Sequence, residues 1–290
     1  MLAKWSDRAN RDDDTMPEGQ GHGHSPLSHV VDHPTVELPH WQNPYGVEIA
    51  LPNLVGVQVT RFMLMELLAA VLVAAVVIPL ARHAARSPVS RGRFMNLFES
   101  MVLFVRDSVA RPAIGGHGAD KFLPFLWTLF FFILFCNLLG MIPGGASPTG
   151  NINVTAVLAL MTLGAVVLAG SREMGAVGFW LGIVPHLDVP WWLKPPLWGL
   201  MFVIEVAGLL IRHVVLAVRL FANMMAGHIV LAVILGFILV AHGPIAYLVT
   251  PASLLGVVAL SLLELFVAFL QAYIFTFLSA LFIGSAVHPH

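Results

Sequence analysis

A single cysteine, Cys136, stands in the whole chain of 290 residues, and it lies inside an apolar run. No disulfide framework is possible within one chain, and Cys136 reads as a small buried hydrophobe. Charge is just as scarce. Charged side chains make up 11% of the sequence and hydrophobic ones 58%, whereas soluble domains carry roughly 25% charged residues. Mean hydropathy is +0.85. A chain this apolar cannot clothe itself in water, so lipid must be its solvent. The formal net charge of -1 excludes the basic footprint of a nucleic-acid binder. No phosphate loop, metalloprotease helix or nucleophile elbow occurs. No catalytic centre, metal site or cofactor is therefore expected, and the chain is not expected to be an enzyme on its own. A cleavable apolar leader is missing as well, because the first twenty residues are polar and acidic (Asp7, Asp12, Asp13, Asp14, Glu18).

What is present divides into a polar segment, 1–60, and a membrane domain, 61–290. The first is rich in His, Pro and Asp, with His22, His24 and His29 in one tract. Such tracts can bind metal, but the composition reads as a solvated, partly disordered tail. Phe62 to Leu80 is long enough to cross roughly 30 Å of hydrocarbon. Arg82, His83, Arg86, Arg91 and Arg93 follow it. The excess of basic residues places that end in the cytoplasm and the tail outside. Phe94 to Ala110 mixes apolar residues with Glu99, Arg106 and Asp107, which suits an amphipathic helix on the inner membrane surface, or a short helix of soluble type. Phe122 to Ile142 is a second span, the turn-rich PGGASPTGN a loop, and Asn153 to about Ala169 a third span. Gly178 to Pro196, broken by prolines and carrying three tryptophans, reads as interfacial.

Two apolar stretches remain, Leu197 to Val240 and about Ile245 to Val287, joined by a turn at His242, Gly243 and Pro244. Each is about twice the length of a perpendicular span. Each is either two short spans or one long, steeply inclined helix, and the scarcity of breakers in the first favours long helices. The fold class is an all-α polytopic membrane protein of about five crossings plus a surface helix, with the C-terminus in the cytoplasm.

Chemistry concentrates between Glu205 and His228, EVAGLLIRHVVLAVRLFANMMAGH. Ionisable groups at membrane depth cost at least ~2.5–3.5 kcal/mol each, and they face a wet cavity or a partner. Glu205, Arg212 and Arg219 are seven apart and share a stripe; Asn223 and Gly227 continue it, and His228 flanks it. Glu205 and Arg212 can neutralise each other. Arg219 has no acid within a turn of it, so its counter-charge must come from elsewhere. The small residues Ala226 and Gly227, with Met224, permit close approach by a neighbour. In the last helix Glu264 and Gln271 are again seven apart. A lone carboxylate in such surroundings is costly to ionise, which suits a proton relay, or else a static hydrogen bond to His228 or Gln271.

With these motifs the sequence resembles subunit a of the F-type ATP synthase. The resemblance rests on RLFANMMAGH at Arg219–His228 and LQAYIFTFL at Leu270–Leu278, supported by NLLGMIPG at Asn137–Gly144 and PTGNINVTAVLAL at Pro148–Leu160. It covers roughly residues 45–287. The resemblance implies that Arg219 faces a carboxylate on a rotating ring of c subunits, and that Asn223 and Gln271 position it and line the aqueous path. It implies that Glu205 belongs to a cytoplasmic half-channel, and that His228 and Glu264 belong to an outer one. In some bacterial members the acid holds the first of these two positions and the histidine the second; here the order is reversed. A c-ring, a b-subunit stalk, the remaining ATP synthase subunits and membrane lipid are the partners implied, in a bacterial inner membrane. Two competing readings are weaker. A secondary transporter usually shows internal repeats, which are not evident, and a purely structural assembly protein has no use for an unpaired arginine.

Overall fold

A computed structural model describes the strand segments within 35–58 and residues 60–86, 92–142, 147–184, 190 and 193–287. The His22–His29 tract, Arg91, part of the loop after Ile142 and most of the 185–192 link lie outside the described residues. Ahead of the helices, β1 (Thr35–His40) pairs antiparallel with β2 (Asn43–Ala50), with an irregularity between Leu38 and His40. The two-residue strands β3 (Asn53–Leu54) and β4 (Val57–Gln58) form a second antiparallel pair.

The membrane domain is all-α. Helix α1 is Arg61–Arg86. Helix α2, Arg93–Phe104, passes through a π-helical turn at Val105–Ala110 into the short α3, Arg111–Ile114. Then come α4, Gly116–Gly140; α5, Ile152–Met174; and α6, Ala176–Gly182. The chain closes with α7, Lys194–Val240, and α8, Ala246–Val287. Five helices are long and apolar enough to cross a membrane among the described residues: α1, α4, α5, α7 and α8. The two closing stretches are thus single helices of 47 and 42 residues. At about 1.5 Å per residue each is about twice as long as the hydrocarbon core is thick, so both must lie inclined to remain in lipid.

Helix α4 is the central post. Phe130, Phe131, Ile133, Cys136 and Leu126 are fully buried along it, and α1 and α8 pack against it. Cys136 is a free, buried thiol packed with Ala69 and Leu139, as its apolar context implies. Helix α2 exposes Arg93, Asn96, Leu97 and Ser100 while Phe98, Met101, Val102 and Phe104 turn toward the core. That two-sidedness is the surface-helix pattern. Trp127 of α4 donates its indole N–H to the Val102 carbonyl at 3.1 Å and pins α2 in place.

Two close approaches set how α8 docks. A Cβ at Gly284 would overlap the Ala113 carbonyl oxygen of α3, and one at Gly170 would overlap the Phe179 ring and come within 3.3 Å of the Ala286 carbonyl oxygen. Only glycine lets backbone approach backbone so nearly. The consequence is that the C-terminal half of α8 carries most of its buried residues, from Ala268 to Ala286, and the N-terminal half only Ser253.

Candidate functional site

The site lies where α7 and α8 run antiparallel. Gly256 meets Ile234, Gly227 meets Glu264, and the His213 ring meets that of Phe282 at 5.2 Å. Between the last two contacts this register brings Arg219 level with the stretch 272–276 of α8. Gly227 is required by sterics: a Cβ there would overlap the Glu264 carboxylate. That contact aims Glu264 at α7, and Gln271, seven residues on, shares its face. The opposite face of α8 is held by aromatic packing. Phe269 and Tyr273 sit 6.4 and 5.6 Å from Phe104, and Phe269 lies edge-on to Phe130 at 5.7 Å.

Two cavities open along α7. One of about 270 Å³ is lined by Glu205, Leu209 and Arg212 from α7, Ser285 and Ala286 from α8, and Phe179 from α6, among others. In it Arg212 pairs with Glu205 at 3.7 Å and donates its Nε–H to the Gly208 carbonyl at 3.1 Å. Both side chains are partly exposed at the cavity. The guanidinium also lies 5.9 Å from the Phe282 ring. The second cavity, of about 210 Å³, is lined by Asn223, Met224 and Gly227 from α7 and by Leu260, Glu264 and Val267 from α8, among others.

Arg219 stands between the two on the helix, half-buried, and lines neither. Among the described residues it makes no ion pair, whereas Glu205 is engaged with Arg212. His228, next to Gly227, has a buried Nε2 with no hydrogen-bond partner. Glu264 accepts no hydrogen bond from His228 or Gln271 among the described residues, so a static bond to either is not formed. The structure therefore brings Glu205 to one cavity, Asn223 and Glu264 to the other, and leaves Arg219 between them along α7.

Sequence reasoning did not isolate a buried polar cluster beside the second cavity. Asn137 of α4 donates to the Ala268 carbonyl of α8 at 3.3 Å. Thr149 donates to Asn137 Oδ1 at 2.6 Å, and Ser147 lies 2.8 Å from Thr149 through the two hydroxyl oxygens. All three side chains are buried. A satisfied buried network of this kind fixes a unique arrangement, and it holds α8 one turn beyond Glu264. Asn137 belongs to the NLLGMIPG motif and Thr149 to PTGN, with Ser147 just before the latter; their spacing was visible in sequence, their mutual contact was not.

Five long apolar helices carrying ionisable side chains, two of which line cavities with such groups, define a polytopic membrane protein. Within that class the chain belongs to the ATP synthase A chain family, whose sequence model matches residues 63–284. It is 42% identical over 270 residues to a protein named ATP synthase subunit a 2 from Chlorobaculum tepidum, covering 90% of this chain and 72% of that one. It is 40% identical to ATP synthase subunit a of Chloroherpeton thalassium, over 90% of this chain and 76% of that one. With ATP synthase subunit a of Myxococcus xanthus the identity is 42%, over 85% and 80%.

Proposed function

We propose that this chain is the stationary proton channel of the membrane sector of an F-type ATP synthase, with Arg219 separating two half-channels at the face of a rotating c-ring. The observation that carries the reading is the order along α7: a cavity at Glu205 and Arg212, the unpaired Arg219, then a cavity at Asn223 and Glu264. A proton enters from outside by way of Glu264 and His228 and neutralises a carboxylate on the rotor, which then faces lipid. After rotation the same carboxylate meets the cavity at Glu205 and Arg212 and releases its proton inward there. Arg219 stays protonated, so it passes no proton from one side to the other. Its charge favours the ionised rotor carboxylate and so drives release. Asn223 and Gln271 position the guanidinium. The membrane potential supplies about 2.3 kcal/mol per charge per 100 mV.

In this reading the chain sits in a bacterial inner membrane with residues 1–60 outside and the C-terminus in the cytoplasm, against the c-ring and the b-subunit stalk. Whether H⁺ or Na⁺ moves is set mainly by the c subunit. The test is Arg219→Ala in the assembled synthase in inverted vesicles. ATP-driven acidification should vanish, a loss of at least ~100-fold, because no other group on α7 replaces a permanent charge at that depth. Acidification at the wild-type rate would refute the reading. A cysteine placed on the Arg219 face of α7 should also cross-link to a c subunit.

A further inference from the structure

The buried tie between α4 and α8 has a direction that its donors and acceptors fix. The Ala268 carbonyl only accepts, so the Asn137 group facing it at 3.3 Å is the NH2, and Oδ1 faces Thr149. Thr149 gives its single hydroxyl proton to Oδ1, so across their 2.8 Å contact Ser147 must donate to Thr149. The chain of bonds runs from Ser147 to Thr149 to Asn137 to Ala268. Its start is set by α4 itself, because Ser147 lies flush against Gly140, where a Cβ would overlap it. Inside α8 the Ala268 carbonyl also accepts the N–H of Ala272, and the Ala268 N–H donates to the Glu264 carbonyl, by the helical pattern. The peptide that Asn137 grips is therefore one turn, about 6 Å, from Glu264. Toward the N-terminus of α8 no residue between Ser253 and Ala268 is buried. Asn137 is thus the last fixed point on that side before the contact of Glu264 with Gly227.

We propose that Asn137 is a positioning residue for Glu264: by holding the Ala268 carbonyl it sets where the carboxylate stands against Gly227 and His228, and Thr149 and Ser147 keep its amide turned the right way. The inference rests on the channel reading above, in which Glu264 carries a proton. Apolar side chains would pack α4 on α8 without the cost of burying an amide and two hydroxyls. A fully bonded polar cluster instead selects one arrangement of the two helices. Misplacing a reacting group by about 1 Å costs on the order of 100-fold in rate, so slight slack at Ala268 is felt at Glu264. Few charged or titratable groups surround that carboxylate. Helix α7 brings His228, with Arg219 about two turns away. Helix α4 brings the buried Cys136, and α5 has no ionisable side chain between Asn151 and Ser171. Arg106, Asp107 and Arg111, from the π-helical turn and α3, are paired with one another. Tyr273 of α8 lies against Phe104, and His242 stands at the far end of the helix pair. His228 is the neighbour whose spacing from the carboxylate the tie controls.

The test uses the assembled synthase in inverted vesicles and reads ATP-driven acidification across a pH series, beside the thermal midpoint of the purified membrane sector. Asn137→Leu should lower pumping about 10-fold and move the pH profile by at least about half a unit relative to wild type, because the profile reports the group that exchanges protons. Thr149→Val should move the profile the same way by less. Thr149→Ser keeps the donor and should leave the profile at its wild-type position. Thr162→Val is the control: it also removes a buried hydroxyl, but one bonded within α5 to the Leu158 carbonyl, so the profile should stay in place. A lowered thermal midpoint with an unmoved profile in Asn137→Leu and Thr149→Val makes the tie merely structural and overturns the inference. A profile shifted equally by Thr149→Ser and Thr149→Val overturns it too. Should Asn137→Leu fail to assemble, the two Thr149 variants decide. Normal pumping by Glu264→Gln sinks the channel reading itself, whereas an unmoved profile beside an inactive Glu264→Gln sinks only the positioning role.

Discussion

The two cavities of α7 are built on opposite principles. Around Glu205 the carboxylate is already paired, with Arg212 at 3.7 Å, and both partners are partly exposed. Around Glu264 the carboxylate has no cationic partner among the described residues and is pressed against Gly227. The first arrangement is tolerant, because the charge already has a partner and both side chains are only partly enclosed. The second depends on one missing Cβ and one unshared carboxylate, so small changes propagate. The helix pair thus has a forgiving end and an exacting end.

The comparison is broken most severely by Glu264→Gln. It keeps shape and removes the titrating group, and ATP-driven acidification should drop by at least ~100-fold, as for loss of a positioned acid–base group. Next comes Gly227→Val, which forces its side chain into the Glu264 carboxylate. Overpacking of this kind costs about 1–3 kcal/mol, and pumping should fall about 10-fold or more. Gly236→Ala, with open space around it, is the matched control and should pump normally. Thr149→Val leaves Asn137 Oδ1 without its donor. The complex should lose about 1–3 kcal/mol, read as a lowered thermal midpoint of the purified membrane sector. Glu205→Gln should have the smallest effect, a change of about 2- to 5-fold in pumping, since its carboxylate is already engaged by Arg212 and the amide keeps an acceptor there. A collapse there as deep as that of Glu264→Gln would erase the asymmetry between the two cavities.

Much of this was legible in the sequence, and the misses have physical causes. Hydropathy located α1, α4 and α5 but set their ends short. Helix α1 runs on to Arg86 and α5 to Met174, while α4 starts at Gly116. Apolarity marks where lipid is, and a helix does not stop at the lipid boundary. The seven-residue spacing of Glu205, Arg212 and Arg219 correctly put them on one stripe, because helical periodicity is local. It could not say that Arg212 reaches Glu205 while Arg219 reaches neither, nor that Glu264 would meet Gly227. The Glu205–Arg212 pair is one of two outcomes that the spacing on a single helix left open; the meeting of Glu264 with Gly227 depends on the register between two helices, which the pattern of each alone leaves free. The Asn137–Thr149–Ala268 tie was hidden for the same reason, since its members come from three parts of the chain. The π-helical turn at Val105–Ala110 has no periodic signature at all.

The lopsided docking of α8 has a mechanical consequence. Its C-terminal half is clamped by Gly284 against α3, by Ala286 near Gly170 and by Asn137 at Ala268. Its N-terminal half is flanked mainly by α7. A rod held this way behaves as a cantilever, and its point of greatest bending under a sideways load lies where the clamp begins. Glu264 stands one turn before that point, so any sideways load on the free half is converted there into a change in the spacing between the carboxylate and Gly227.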